Sequence, residues 1–100
     1  MAYYSLALCL DINMPTCITA RNKATQDRYG GYQIDYAALQ LPADIADTLT
    51  AMRAEYGRLF DFEEDRYPTV EQETEFRARL EALVPKLQAA LGPDYAFEVE

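Results

Sequence analysis

The spacing of apolar residues changes near position 40 of this 100-residue chain. Over residues 4–12 the even positions are large and apolar while the odd positions are mostly small or polar, the period-two pattern of a strand with one buried face. From Ile45 onward, apolar residues recur every three or four positions, as in amphipathic helices. Because strand and helix patterns occupy separate parts of the chain, the sequence predicts an α+β fold.

Two further short strands are predicted before the period changes. Residues 17–21 contain β-branched side chains suited to a pleated surface, and a break at residues 13–15 favours a hairpin with the first strand. Residues 21–28 are polar and irregular. Gly30 and Gly31 then precede residues 32–36, which alternate again and predict a third strand.

Two helices are predicted in the second part of the chain. The first starts near Pro42 and buries an apolar stripe; the second starts at Thr69, which has capping-box spacing to Gln72, and stops at Gly92 and a following proline. Pro85 lies opposite the second stripe, so we expect a bend there and not a break. The stripes contain Ile45, Leu49, Met52 and Tyr56 in the first helix, and Phe76, Leu80, Leu83, Leu87 and Leu91 in the second.

A last alternating segment, residues 95–99, predicts a strand that returns to the sheet. The expected architecture is a small, mainly antiparallel sheet of three N-terminal strands plus this C-terminal strand, covered on one face by the two helices. No internal repeat or linker divides the chain, so residues 1–100 are expected to form a single α+β domain.

Composition argues against most catalytic and metal chemistry. The chain has no histidine, and its acids match neither an EF-hand loop nor a zinc site. Paired carboxylates work as acid and base from the walls of a cleft, whereas these acids are expected on a linker and on exposed helix positions. We therefore expect no enzymatic activity, no catalytic residue, no metal and no cofactor.

Cys9 and Cys17 are predicted to be buried free thiols, because two cysteines do not make a disulfide framework. If the first two strands pair, the two thiols would lie opposite each other. Residues 1–10 lack the basic start of an export signal, and no run approaches the roughly 18 apolar residues that a membrane helix needs. The expected location is the cytoplasm, without membrane contact.

The net charge of −8 is concentrated in residues 41–100, which carry fourteen acids against six bases. Such a charge opposes direct binding to nucleic acid and favours a basic protein partner. The densest stretch is Asp61, Glu63, Glu64 and Asp65, on the linker between the predicted helices, with Arg66 as the nearby base. Four crowded like charges oppose folding, and a cationic partner would relieve the repulsion; the alternative is that the run is merely solvated.

Other surface residues are candidates for the same contact. The acids of the second helix are in part explained by i,i+4 pairs, Glu73 with Arg77 and Glu75 with Arg79. Eight tyrosines offer rigid side chains with a polar tip, the kind enriched at interfaces. The predicted partner-binding residues are Asp61, Glu63, Glu64, Asp65, Tyr67, Glu71, Glu75, Tyr29 and Tyr32.

The last sixty residues also carry a recognisable pattern. Its parts are Leu39-Gln40-Leu41-Pro42, Leu49, Tyr56, the acidic linker with Pro68, the apolar positions of the second helix, and Leu91-Gly92-Pro93-Asp94-Tyr95. This pattern resembles small bacterial immunity proteins of polymorphic toxin systems. The resemblance implies an inhibitor that binds a cognate toxin in the producing cell and has no catalytic residue.

These observations predict a non-enzymatic inhibitor that covers the basic active site of a toxin or nuclease. A phage-encoded inhibitor of a host defence nuclease, of the anti-CRISPR type and with or without mimicry of a nucleic acid, would use the same charge. A third alternative is an assembly module that forms a homodimer through Tyr32, Ile34 and Tyr36 on an edge strand. Monomer and homodimer both stay open from the sequence.

Overall fold

The computed structural model describes residues 3–100 and confirms the α+β class; Met1 and Ala2, the start of the segment weighed as an export signal, lie outside the described residues. The elements in chain order are β1 (Tyr4–Leu8), β2 (Ile18–Ala20), α1 (Lys23–Tyr29), α2 (Ala43–Gly57), α3 (Val70–Leu91) and β3 (Tyr95–Val99). No helix within residues 3–100 is long and apolar enough to cross a membrane.

The three strands form one mixed sheet in the order β2-β1-β3. β1 and β2 pair antiparallel, with Leu6 opposite Ala20 and Leu8 opposite Ile18, as the predicted hairpin requires. The C-terminal strand returns to the sheet as predicted, but it pairs parallel to β1. The direction follows from α3, which carries the chain back to the end of the sheet where β1 begins, so that β3 runs the same way as β1.

The predicted third strand is reduced to a single bridge between Gln33 and Thr19. Ile34 donates its backbone N–H to the Ile18 carbonyl at 3.1 Å and is buried. The pairing stops at Asp35, whose side chain accepts the Ala37 N–H at 3.1 Å and whose carbonyl accepts the Ala38 N–H at 3.1 Å. This local turn ends the extended segment before it becomes a strand.

The segment predicted to be irregular contains α1. Asn22 caps this helix by accepting the Thr25 N–H at 2.9 Å, and Gly30 ends it in the left-handed conformation with φ of 77°. Thr25 is the buried residue of the helix, so the sequence carries no apolar stripe to reveal it. Its capping residues were the available signal.

The two long helices bury the predicted stripes. In α2 these are Ile45, Leu49, Met52 and Tyr56; in α3 they are Phe76, Leu80, Leu83 and Leu87. Both hydrogen bonds of the capping box between Thr69 and Gln72 are present. Pro42 sits at the N-cap of α2, one position before the predicted first turn.

Helix α3 continues through Pro85 for 22 residues. Pro85 is exposed, so the distortion that an interior proline imposes falls on the solvent side and leaves the packed stripe intact. The expectation that proline would not break the helix is confirmed.

The two cysteines lie opposite each other where the hairpin enters its connecting loop, and the Cys9 N–H donates to the Cys17 carbonyl at 2.9 Å. Both are free thiols; Cys17 is buried and Cys9 half-buried. Burial raises the pKa of each thiol. The nucleophilic thiolate is therefore disfavoured in both.

Candidate partner-binding surface

The connection between α2 and α3 is a closed loop. Asp61 and Arg66 exchange backbone hydrogen bonds of 2.9 and 2.8 Å, which clamp the two ends of the turn together. Inside it, the Asp61 carboxylate accepts the Glu64 N–H at 3.2 Å, and Asp65 takes a positive φ of 52° that aspartate tolerates better than most residues. We call residues 61–67 the acidic loop. Its carboxylates are held on an ordered turn, not on a loose linker.

No ion pair within residues 3–100 involves a carboxylate of the acidic loop. Glu63, Glu64 and Asp65 are exposed and Asp61 is half-buried. The ion pairs found within residues 3–100 join Arg21 to Glu98 and Glu100, Arg77 to Glu81, and Arg79 to Glu55. None of these pairs reaches the acidic loop. A concentrated negative field is left at one place on the surface, where it attracts a cationic surface.

Aromatic side chains lie in the same loop. The rings of Phe62 and Tyr67 are 65% and 51% exposed, and their centroids are 5.9 Å apart. Both also contact the half-buried ring of Phe60, at 5.9 and 6.2 Å, and Phe60 packs on buried Tyr56 at 5.2 Å. The exposed rings are thus anchored to the core through a chain of aromatic contacts. A rigid apolar patch beside uncompensated charge is the composition of a protein-binding site.

Phe62 was not among the predicted partner-binding residues, although the sequence places it between Asp61 and Glu63. An aromatic flanked on both sides by acids was the signal that identifies it, since neighbouring charges argue against burial. Val70, at the start of α3, was also not among the predicted residues and is 78% exposed.

The acids of α3 pair differently from the i,i+4 prediction. Arg77 bonds Glu81 at 3.2 Å, and Arg79 makes a bidentate contact of 3.0 and 3.1 Å with Glu55 on α2. The predicted pairs Glu73–Arg77 and Glu75–Arg79 are therefore wrong. The Arg79 guanidinium holds the pKa of Glu55 below its usual range. Glu71 and Glu75 stay exposed on α3, beyond the acidic loop.

Within residues 3–100 no group of acids or cysteines is arranged to hold a metal ion. Glu63, Glu64 and Asp65 of the loop are also exposed, whereas a carboxylate pair that performs acid and base chemistry faces across a cleft. The surface is suited to binding another molecule by charge and packing.

The model of a family described as Serratia CdiI immunity protein-like matches residues 11–99. The chain belongs to this family. No curated protein matches the chain in a sequence comparison. The match confirms the resemblance to immunity proteins of polymorphic toxin systems and extends it, since it includes residues 11–40 as well as the last sixty. An immunity-protein role follows for this family member.

Tyr29 and Tyr32 are not brought to the acidic loop. The Tyr29 hydroxyl shares a hydrogen bond with that of Tyr95, whose carbonyl accepts from Gln88 near the end of α3. The acidic loop precedes the start of α3, and α3 spans about 33 Å at 1.5 Å per residue. Tyr29 therefore lies toward the end of the protein that is opposite the acidic loop. Tyr32 is 50% exposed but follows the β2 edge of the sheet, where its carbonyl accepts the Ala20 N–H. The predicted residues thus occupy at least two separate surfaces.

The hydroxyl of the buried Tyr56 bonds Glu73 on α3, and its ionisation should make the stability of the protein sensitive to alkaline pH. Burial, together with a 3.1 Å hydrogen bond to the Glu73 carboxylate, raises the pKa of Tyr56 to about 12. The unfolded value is about 10, so this stabilising contribution is complete below pH 10 and is lost as the pH rises toward 12. Asp11 acts in the same direction and Arg53 opposes it.

We expect Tyr56→Phe to reduce this loss of stability at alkaline pH, measured as the change in the midpoint of urea unfolding between pH 9 and pH 11.5. Part of the loss should remain, because the pKa values of Tyr36 and Tyr95 are also raised. Tyr32→Phe is the matched control, since its hydroxyl is on an exposed side chain. An equal pH response of the Tyr56→Phe variant and the wild type would contradict the assignment.

Proposed function

We propose that this family member is a non-enzymatic inhibitor that neutralises a cognate bacterial toxin by covering the toxin's basic active site with the acidic loop. One observation carries the proposal: the four carboxylates of the loop have no ion pair within residues 3–100, and they share the loop with two exposed aromatic side chains. Charge at that density opposes folding, so its presence on an ordered turn is best explained by a cationic partner.

The two components of the surface have different roles in binding. The carboxylates steer the encounter with a basic site and make the association rate fall as salt rises. Phe62 and Tyr67 supply apolar area that is desolvated on contact, and such area mainly slows dissociation. Glu71 and Glu75 extend the acidic face along the start of α3. Since the target is a toxin of the producing cell, the proposed place of action is the cytoplasm.

The alternatives drawn from the sequence gain less support. Family membership favours an immunity protein over a phage inhibitor of a host nuclease. The homodimer through residues 32–36 required an edge strand with Ile34 available for pairing, but Ile34 is only 1% exposed and this segment forms one bridge. Two copies that each carry a charge of −8 also repel one another.

The proposal predicts that replacing Glu63, Glu64 and Asp65 together by serine weakens capture of the cognate toxin domain by about tenfold or more. That factor corresponds to about 1.4 kcal/mol. The fold should be unchanged or slightly more stable, because like charges are removed from one turn. Binding is measured by surface plasmon resonance at 50 and 300 mM salt, and the loss is expected mainly in the association rate at low salt.

The matched control is the triple replacement of Asp27, Asp47 and Asp94 by serine. These three aspartates are exposed on α1, on α2 and before β3, and the change alters the net charge by the same amount. If both triple variants lose equal affinity, only the overall charge matters and the loop is not the contact. If neither variant loses affinity, the acidic run is merely solvated.

A further inference from the structure

A groove lies directly beside the acidic loop, where the loop enters α3. It encloses about 480 Å³ between the start of α3 and the end of β3. Its apolar side is formed by Pro68 and by Val70, which is 78% exposed. Its polar side is formed by Glu73, Thr74, Arg77 and Glu100. The groove is continuous with the proposed contact surface, because Pro68 follows the last residue of the acidic loop.

The groove deepens into a small cleft of about 40 Å³. Glu73, Arg77 and Glu100 border both spaces, and the floor of the cleft is formed by Leu10, Tyr56, Phe76 and Leu80. A side chain that enters therefore meets an apolar wall along its length and charged groups near its end.

The charges around the groove leave an excess of carboxylate. The Arg77 guanidinium is already occupied, with Nε on Glu81 at 3.2 Å and Nη2 on the Val99 carbonyl at 3.0 Å. One oxygen of Glu100 accepts from Arg21 Nη1 at 2.7 Å. The Glu73 carboxylate accepts a hydrogen bond from the neutral Tyr56 hydroxyl at 3.1 Å. It forms no ion pair with a cation within residues 3–100. A ligand that enters the groove thus faces unmatched negative charge.

We infer that this groove receives an arginine or lysine side chain of the partner protein, with its aliphatic part over Pro68 and Val70 and its charged end between Glu73 and Glu100. This inference rests on the proposed function and names the contact that gives it specificity. Long basic side chains combine an apolar stem with a cationic tip, which matches the two walls of the groove. Arginine is the better fit, since its planar group bonds more than one carboxylate oxygen at once.

The groove is tested first without any toxin. The ¹⁵N-labelled protein is titrated with the peptide acetyl-Gly-Arg-Gly-amide and, separately, with the same peptide containing citrulline, a neutral isostere of arginine. We expect the arginine peptide to shift the amide signals of Val70, Glu73, Thr74 and Glu100, and the citrulline peptide to bind at least fivefold more weakly. Equal binding of the two peptides, or shifts confined to other surfaces, would overturn the inference.

A pair of variants then separates this inference from the proposed function. Glu73→Gln keeps an oxygen that accepts the Tyr56 hydroxyl but removes the unmatched charge. We expect it to weaken binding of both the arginine peptide and the toxin domain by about threefold to tenfold. Asp47→Asn, at an exposed position of α2 outside the groove lining, is the matched control and should leave peptide binding unchanged. Full toxin affinity in the Glu73→Gln variant would overturn the inference while the proposed function stands. Failure of the toxin domain to bind the wild-type protein would instead overturn the proposed function.

Discussion

Replacing Phe62 and Tyr67 together by alanine is expected to weaken toxin capture by about a hundredfold, or about 2.7 kcal/mol. The two residues are 65% and 51% exposed and their ring centroids are 5.9 Å apart, so they form a preorganised apolar patch within the acidic loop. Because they are already ordered in the free protein, little conformational entropy is lost when a partner covers them. The change is measured by isothermal titration calorimetry against the toxin domain, and it should appear chiefly as faster dissociation in a kinetic assay.

The fold should survive this double substitution, since exposed side chains contribute little to stability. Tyr32→Ala is the control, because Tyr32 is similarly exposed but lies at the β2 edge of the sheet. If Tyr32→Ala loses as much affinity as the double variant, the partner binds the sheet edge and not the acidic loop. A double variant with wild-type affinity would leave the patch without a role in binding.

Leu87→Ala is expected to lower the free energy of unfolding by about 2 to 5 kcal/mol. Leu87 is fully buried on α3, within the core that the helices share with the sheet. Truncation removes apolar contact and leaves a cavity that the surrounding side chains fill only in part. Urea unfolding followed by circular dichroism measures the loss, and a decrease of less than about 1 kcal/mol would contradict this packing.

Two neighbouring substitutions show whether the effect comes from lost volume. Leu87→Met conserves volume and should cost less than about 1.5 kcal/mol. Lys86→Ala alters an exposed residue one position earlier on the same helix and should stay within about 0.5 kcal/mol of the wild type. A Lys86→Ala loss comparable with that of Leu87→Ala would show that the loss does not come from a cavity at position 87.

The long helices were predictable because their signals are local. The stripe from Phe76 to Leu87 fixes which face of α3 is buried, and Thr69, Gln72 and Gly92 mark its ends by bonding within a few residues of themselves. Helix α1 was missed because its capping signal at Asn22 stands without an apolar stripe; only Thr25 is buried. The third strand was overestimated because alternation in residues 32–36 cannot report the turn at Asp35 that ends the pairing.

The acidic run of the candidate site was predictable from the sequence, but the side chains that surround it in space were not. The four acids of the linker are visible in the sequence, and only the structure shows that the ion pairs formed by the arginines within residues 3–100 do not reach them. Arg79 illustrates the limit: its spacing predicts a bond to Glu75, but packing of α3 against α2 brings Glu55 into bidentate reach. Ion-pair partners on different elements are set by helix packing, which local spacing does not encode.

Sequence alone determined the α+β class, the two buried helical stripes, the place of the acidic loop and the kinship to immunity proteins, because each depends on residues close together in the chain or on composition. Tertiary structure decided the parallel pairing of β3, the exposure of Phe62, the separation of Tyr29 and Tyr32 from the loop, and the groove between Val70 and Glu100. These features join residues from distant parts of the chain, and their geometry is settled by the packing of whole elements.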